Sequence, residues 1–158
     1  MLKVEKQLSD MKPEILNMGY DWFALYTQFR LETGNFTCKL TPRYNLAGMM
    51  PRKGCNYPSK KFWTHEYKLG KKIDEFSEFV IYPSLKDFIK DYDKHVQEKY
   101  PLAYLNRGSY LKYYPHLMTY NASGDIIYPS WCSAKGYEKK LMDNYETWNR
   151  ESHFELKP

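Results

Sequence analysis

The sequence predicts a mainly helical α+β domain, a helical body carrying one small, irregular β-lobe beside a cleft. Three observations lead there. Apolar residues recur at three- and four-residue spacing in several separate stretches, the signature of helices with one face turned inward. Only residues 40 to 82 break that rhythm, with Pro, Gly and a weak alternation. A chain of 158 residues, 42% of them hydrophobic, suits one domain around one core.

Taken in order, Pro13 fits the first turn of a helix. From Trp22 to Leu31 the set Trp22, Phe23, Leu25, Tyr26 and Phe29 has helical spacing, and Gly34 ends that helix as a left-handed cap residue would. Residues 41 to 62 hold three Pro and two Gly and read as loop or short irregular strand. Residues 62 to 82 alternate weakly through Phe62, Thr64 and Glu66. They turn at Leu69-Gly70-Lys71-Lys72 and return through Phe76 and Phe79 to Tyr82, as a small β-hairpin would. Ser84 with Asp87 reads as a capping box that opens a helix with Phe88, Ile89, Tyr92 and Val96 inward, closed by Pro101. Further helices are expected near residues 105–114 and 135–148, with a turn at Asn121 to Asp125 between them. The whole chain, 1–158, reads as one catalytic domain with its core at about 14–148.

Composition narrows the partners. Aromatic residues make up 18% of the chain, including 16 Tyr, which suits both core packing and surfaces that hold partly wet ligands. A net charge of +5 favours anionic partners such as nucleic acid, an acidic membrane surface or a bacterial cell wall. The lysines stand in scattered pairs, Lys60-Lys61, Lys71-Lys72 and Lys139-Lys140, and form no basic arm of the kind that grips nucleic acid. Cys38, Cys55 and Cys132 are odd in number and far apart, so reduced thiols are expected instead of a disulfide framework or zinc knuckle. His65, His95, His116 and His153 lack metal-ligand spacing, and no phosphate-cradling or dinucleotide motif occurs; no metal or cofactor is expected. Met1 to Asp10 is charged and polar, without the apolar core of a signal peptide. No apolar run approaches the ~20 residues of a transmembrane helix. The expected setting is synthesis in the cytoplasm.

The chemistry concentrates in Leu31-Glu32-Thr33-Gly34-Asn35-Phe36-Thr37. A glutamate at the end of an apolar helix sits at an element's edge. With Phe29, Leu31 and Phe36 behind it, its carboxyl would be desolvated and would keep a proton towards neutral pH, as a general acid must. A last-turn glutamate is more often simply solvated, so surrounding residues have to decide.

They do so through a resemblance. Gln28-Phe-Arg-Leu-Glu-Thr-Gly-Asn35, followed by Tyr44-Asn-Leu-Ala-Gly48, resembles the glucosaminidase family of bacterial and phage peptidoglycan hydrolases, in which a helix ends A-Q-x-x-L-E-[ST]-G before an N-L-F-G-like turn. Thr64-His-Glu-Tyr67 resembles the family's T-x-E-[YW]. Phe79-Val-Ile-Tyr-Pro-Ser84 with Asp87 to Asp91 is similar to its F-R-x-Y-x-S block, and Ser133-Ala-Lys-Gly-Tyr-Glu-Lys-Lys-Leu141 to T-D-P-N-Y-A-x-K-L. The resemblance spans residues 22 to 148 and implies a lysozyme-like fold. It implies cleavage of peptidoglycan glycan strands by an endo-β-N-acetylglucosaminidase, with Glu32 as general acid and Glu66 as second carboxylate from the β-lobe. It also implies substrate contacts from Tyr44, Asn45, Trp131 and Tyr137. Departures stand out: Ser130-Trp131-Cys132-Ser133 replaces the family's G-Y-A-T, so Trp131 keeps a flat face but lacks a phenol, and Val80 and Ala47 replace an Arg and a Phe.

The expected setting is a phage lysis protein or a wall-opening enzyme carried on the virion, with virion proteins as further partners. Two rival readings fit the same residues: a lytic transglycosylase or muramidase on this fold, and a wall-binding or virion-structural module with weakened catalysis.

Overall fold

The computed structural model describes residues 2–68 and 71–151, and the side chains of 66–68 lie outside that description. Among the described residues, seven helices and one hairpin follow in the order α1 (Lys3–Asp10), α2 (Lys12–Asn17), α3 (Trp22–Glu32), β1 (Ser59–Lys68), β2 (Lys71–Val80), α4 (Leu85–Lys99), α5 (Pro101–Leu105), α6 (Tyr110–Tyr113) and α7 (Tyr137–Glu151). Short 3-10 turns occupy Thr41–Arg43 and Tyr114–Leu117. The mainly helical α+β class expected from the sequence is what the chain adopts.

The body is built around α3. Every residue from Trp22 to Phe29 is buried, so this helix has no solvated face and is enclosed by the others. Asp21 starts it, its carboxylate accepting from the backbone N–H groups of Phe23 and Ala24 at 3.0 and 3.2 Å. The other Asp21 oxygen accepts from the Tyr145 hydroxyl at 2.8 Å, which ties α7 to the same point. Helix α1 docks through Trp22, whose indole donates to the Leu8 carbonyl, and through Tyr26, whose hydroxyl donates to Glu5 at 2.6 Å. The Tyr114 hydroxyl reaches the Ala24 carbonyl at 2.7 Å. On the α4 side, Phe29 packs edge-on to Phe88 and Tyr92 with ring centres 5.1 and 5.0 Å apart.

Helix α4 opens as the capping pair predicts, the Ser84 hydroxyl accepting from the Asp87 N–H. Three details differ from expectation. Residues 3–10 form a helix whose two buried apolar residues, Val4 and Leu8, lie one turn apart. Two such residues are too few to show as a pattern, and docking on α3 supplies the rest of the stability. Pro101 does not simply end α4, because Tyr100 leaves the helical conformation (φ −128°, ψ 62°) and Pro101 opens α5 at its first position. The stretch from 105 is interrupted, with α6 beginning only at Tyr110.

The β-lobe is one antiparallel hairpin, registered from Ser59↔Val80 to Lys68↔Lys71, and residues 69 and 70 lie outside the described residues. Its outer face pairs Lys61 with Glu78, Trp63 with Phe76 and His65 with Asp74 across the strands. The two rings meet edge-to-face at 4.8 Å, and the His65 ring hydrogen-bonds Asp74 at 2.5 Å beside them, cross-strand contacts of the kind that stabilise a two-stranded ribbon. Among the described residues, no helix is long and apolar enough to cross a membrane.

Asp21 carries a helix start and an interhelical hydrogen bond together. Asp21→Ala is therefore expected to cost roughly 1–2 kcal/mol, read from the urea midpoint. A loss below about 0.3 kcal/mol would show that α3 does not depend on this cap.

Candidate active site

Because α3 is buried from Trp22 to Phe29, it meets the surface in its last turn, from Arg30 to Glu32. Glu32 sits there. Thr33 closes the helix, its hydroxyl donating back to the Phe29 carbonyl at 2.6 Å and accepting from the Phe36 N–H at 3.0 Å. Gly34, Asn35 and Phe36 follow with φ of 56°, 60° and 62°. Gly34 is thus the left-handed residue expected, while Asn35 and Phe36 hold that conformation at a steric cost. Their side chains show what holds them: Asn35 accepts from Arg30 at 2.9 Å, and the buried Phe36 ring lies 5.7 Å from Tyr26. The turn after the carboxyl is thereby locked.

Glu32 lines a cavity of about 260 Å³ with Leu31, Ala134, Lys135, Gly136, Tyr137 and Lys140. The residue keeps some exposure to this space, yet its carboxyl is desolvated. Burial raises its pKa above the ordinary value, and hydrogen bonds from Tyr137 and the Trp131 indole, with the charge of Lys140, offset part of that rise. The net shift is upward, so the group favours its protonated form.

Behind the carboxyl runs a buried polar chain. Tyr137 donates to Glu32; the Gln28 amide donates to the Tyr137 oxygen at 3.4 Å; Tyr92 donates to the Gln28 carbonyl oxygen at 2.5 Å. Because Tyr92 spends its proton on Gln28, the 2.5 Å contact between Tyr92 and Tyr113 makes Tyr113 the donor. Every donor in the chain therefore points towards Glu32, and such aligned bonds polarise one another. Gln28 and Tyr92 were not singled out as site residues from the sequence. Gln28 stood in the quoted motif, one turn before Glu32, but nothing local indicates that its amide reaches Tyr137, 109 positions away.

The other candidate residues part company. Trp131 and Tyr137 converge on Glu32. Asn45 is wholly buried, and its amide works inside the fold: it donates to the carbonyls of Met49 and Val80 and accepts from the Met49 N–H, all at 2.9 Å. That ties the 45–49 turn to the end of β2, giving Asn45 a structural task where a substrate contact was expected. Tyr44, with φ 55°, lines a separate cavity with Leu2, Val4, Gln7 and Phe36. Glu66 pairs through its backbone with Ile73 on the hairpin, and its side chain lies outside the described residues. Cys38, Cys55 and Cys132 are all free thiols.

No family model and no curated protein matches the chain in sequence. Solved structures do match in fold. A peptidoglycan hydrolase mutant from Sphingomonas sp. A1 aligns at 19% identity with a TM-score of 0.66, covering 94% of this chain and 92% of its own. The chain has the fold of peptidoglycan hydrolases. The catalytic domain of the Listeria monocytogenes autolysin Auto aligns at 20% identity and TM-score 0.62, covering 92% of this chain and 80% of that one. A glycoside hydrolase domain from Salmonella typhimurium FlgJ aligns at 18% and 0.58, covering 94% and 93%. This is the architecture that the glucosaminidase resemblance implied.

The raised Glu32 pKa has a thermodynamic sign. A carboxyl that keeps its proton in the folded chain, while the unfolded chain releases it near its ordinary value of about 4.3, withdraws stability as pH rises above that value. Glu32→Gln, which cannot ionise, should gain in melting temperature relative to the parent between pH 4 and pH 8. A difference that stays constant across that range would mean the carboxyl ionises normally.

Proposed function

We propose that the protein is a peptidoglycan hydrolase, an endo-β-N-acetylglucosaminidase that cleaves the β-1,4 bond after N-acetylglucosamine with Glu32 as its general acid. The observation that carries this is the desolvated carboxyl of Glu32, hydrogen-bonded by Tyr137 at the end of an otherwise buried helix, where burial raises its pKa. The likeness in fold to peptidoglycan hydrolases supports the substrate class.

In the proposed reaction the Glu32 proton passes to the glycosidic oxygen as the bond from the anomeric carbon breaks, its electron pair staying with the leaving sugar. Positive charge develops on the ring left behind. Glu66, or the acetamido group of that same sugar, steadies the cation. Water then adds at the anomeric carbon and returns a proton to Glu32. The Glu32 carboxylate formed meanwhile is met by the Tyr137 hydroxyl and the Trp131 indole, which favour its charged form. The site thus holds the proton by desolvation and receives the resulting charge with ready-placed donors. Activity should decline as pH rises through the raised Glu32 pKa.

Glu32→Gln should keep the fold and lower lytic turnover by ~10²–10⁴-fold, the usual contribution of a general acid. Retention of more than about half of the parent rate would remove Glu32 from this role. Analysis of the released fragments should find N-acetylglucosamine at the new reducing ends; N-acetylmuramic acid or its anhydro form there would replace the reading with a muramidase or lytic transglycosylase. Glu66→Gln should also slow turnover, by less than Glu32→Gln does, and unchanged kinetics would return Glu66 to the hairpin surface.

A further inference from the structure

Trp131 also lines a second space, about 320 Å³, whose polar lining is formed by Arg52, His95, Lys99, Tyr100, Tyr128 and Trp131 itself. None of its lining residues is acidic. The pattern has a simple origin in α4. Asp91, His95 and Lys99 follow one another at four-residue spacing and share a helix face. Asp91 is already engaged: Arg52 clamps it with two bonds of 2.7 and 2.8 Å, and the Tyr82 hydroxyl donates to it at 2.6 Å. That carboxylate is thus spent on Arg52 and Tyr82. The Lys99 ammonium donates to the exposed Tyr128 hydroxyl at 2.8 Å. His95 has a buried Nδ1 with no hydrogen-bond partner. The space therefore offers positive charge and donors, with no negative group to match them.

Its position matters as much as its charge. The Trp131 ring packs against His95, Tyr100 and Tyr92 at 5.7, 5.5 and 5.6 Å, while its indole N–H serves the Glu32 carboxyl. One side chain walls the cationic space and holds the acid.

We propose that this cavity is a carboxylate subsite, in which Lys99 and His95 receive the anionic arm of the sugar next to the scissile bond. The proposal rests on the hydrolase reading above and deepens it. In peptidoglycan strands every second sugar carries a 3-O-lactyl arm, which ends in a carboxylate or continues into a stem peptide that bears its own. Chitin-type oligomers of N-acetylglucosamine carry neither. The subsite thus explains how a cleft built for β-1,4-linked amino sugars would prefer wall glycan over neutral glycan. His95 fits the role: burial and then the Arg52 charge hold it neutral down to about pH 4, with Lys99 adding to this and Asp91 and Glu98 opposing it. An arriving carboxylate supplies the missing counter-charge and should draw its titration upward.

Binding to the Glu32→Gln protein tests the subsite without turnover. Titration calorimetry would use N-acetylmuramic acid, N-acetylmuramyl-L-alanyl-D-isoglutamine and an N-acetylglucosamine tetramer as probes. Lys99→Met and His95→Gln should each weaken one or both anionic probes by about 10-fold, the scale of one well-placed charge or hydrogen bond, and shift the tetramer by less than about 2-fold. NMR of the His95 ring should show its titration midpoint rising when the anionic probe is bound. Tighter binding of muramic acid assigns the lactyl carboxylate, and tighter binding of the dipeptide assigns the stem. Equal losses for anionic and neutral probes, or an unmoved His95 titration, would overturn the proposal. Selective anion binding by a protein inert on walls would sink the hydrolase reading and leave the subsite standing.

Discussion

The rest of this structure depends on the complete enclosure of α3. A helix whose residues 22–29 are all buried has no surface except at its ends, and each end is used. At the start, Asp21 gathers the helix cap and the Tyr145 hydroxyl. At the finish, Glu32 emerges into a cavity with the buried chain of Tyr137, Gln28 and Tyr92 behind it. Desolvation of its carboxyl follows from where the helix stops, and the locked left-handed turn at 34–36 keeps that stopping point from drifting. The chemistry at the site is in this sense a consequence of packing: a rigid, buried rod delivers one ionisable group to one place.

Two opposing effects meet on that group. Burial favours the neutral acid, while Tyr137 and Trp131 favour the carboxylate. Burial is the larger. A catalytic acid needs both, since it must hold its proton before the reaction and tolerate its loss afterwards. The polar chain from Tyr113 through Tyr92 and Gln28 gives the second effect direction, because each donor is committed to the next acceptor and the last hydroxyl has Glu32 as its partner. This chain lies among the aromatic rings that account for much of the composition. Their abundance reflects a core in which phenols serve as packing and wiring at once.

Much of this was legible in the sequence, for reasons that vary by element. Helix α3 was plain because its apolar residues are dense and end at a glycine. The start of α4 was plain because Ser84 and Asp87 form a local device. Glu32 could be suspected from its place at a helix end, and Trp131 and Tyr137 came only through the resemblance. Asn45 came the same way, yet its amide turned out to be consumed by Met49 and Val80, a partnership across 35 positions that no local pattern reveals. Helix α1 was missed because Val4 and Leu8 mean little until Trp22 and Tyr26 are placed above them. The spacing of Asp91, His95 and Lys99 was present in the sequence, but its meaning needed Arg52, which arrives from a loop 39 positions away. Tertiary partners of that kind separate a motif from a site.

The most direct test is the titration of Glu32 itself, followed by carbon-13 NMR of its side-chain carboxyl in the free protein. The midpoint should lie above the ordinary glutamate value of about 4.3, and it should rise further in Tyr137→Phe, where a donor that favours the carboxylate is gone. A midpoint at or below the ordinary value, unmoved by that substitution, would contradict the account.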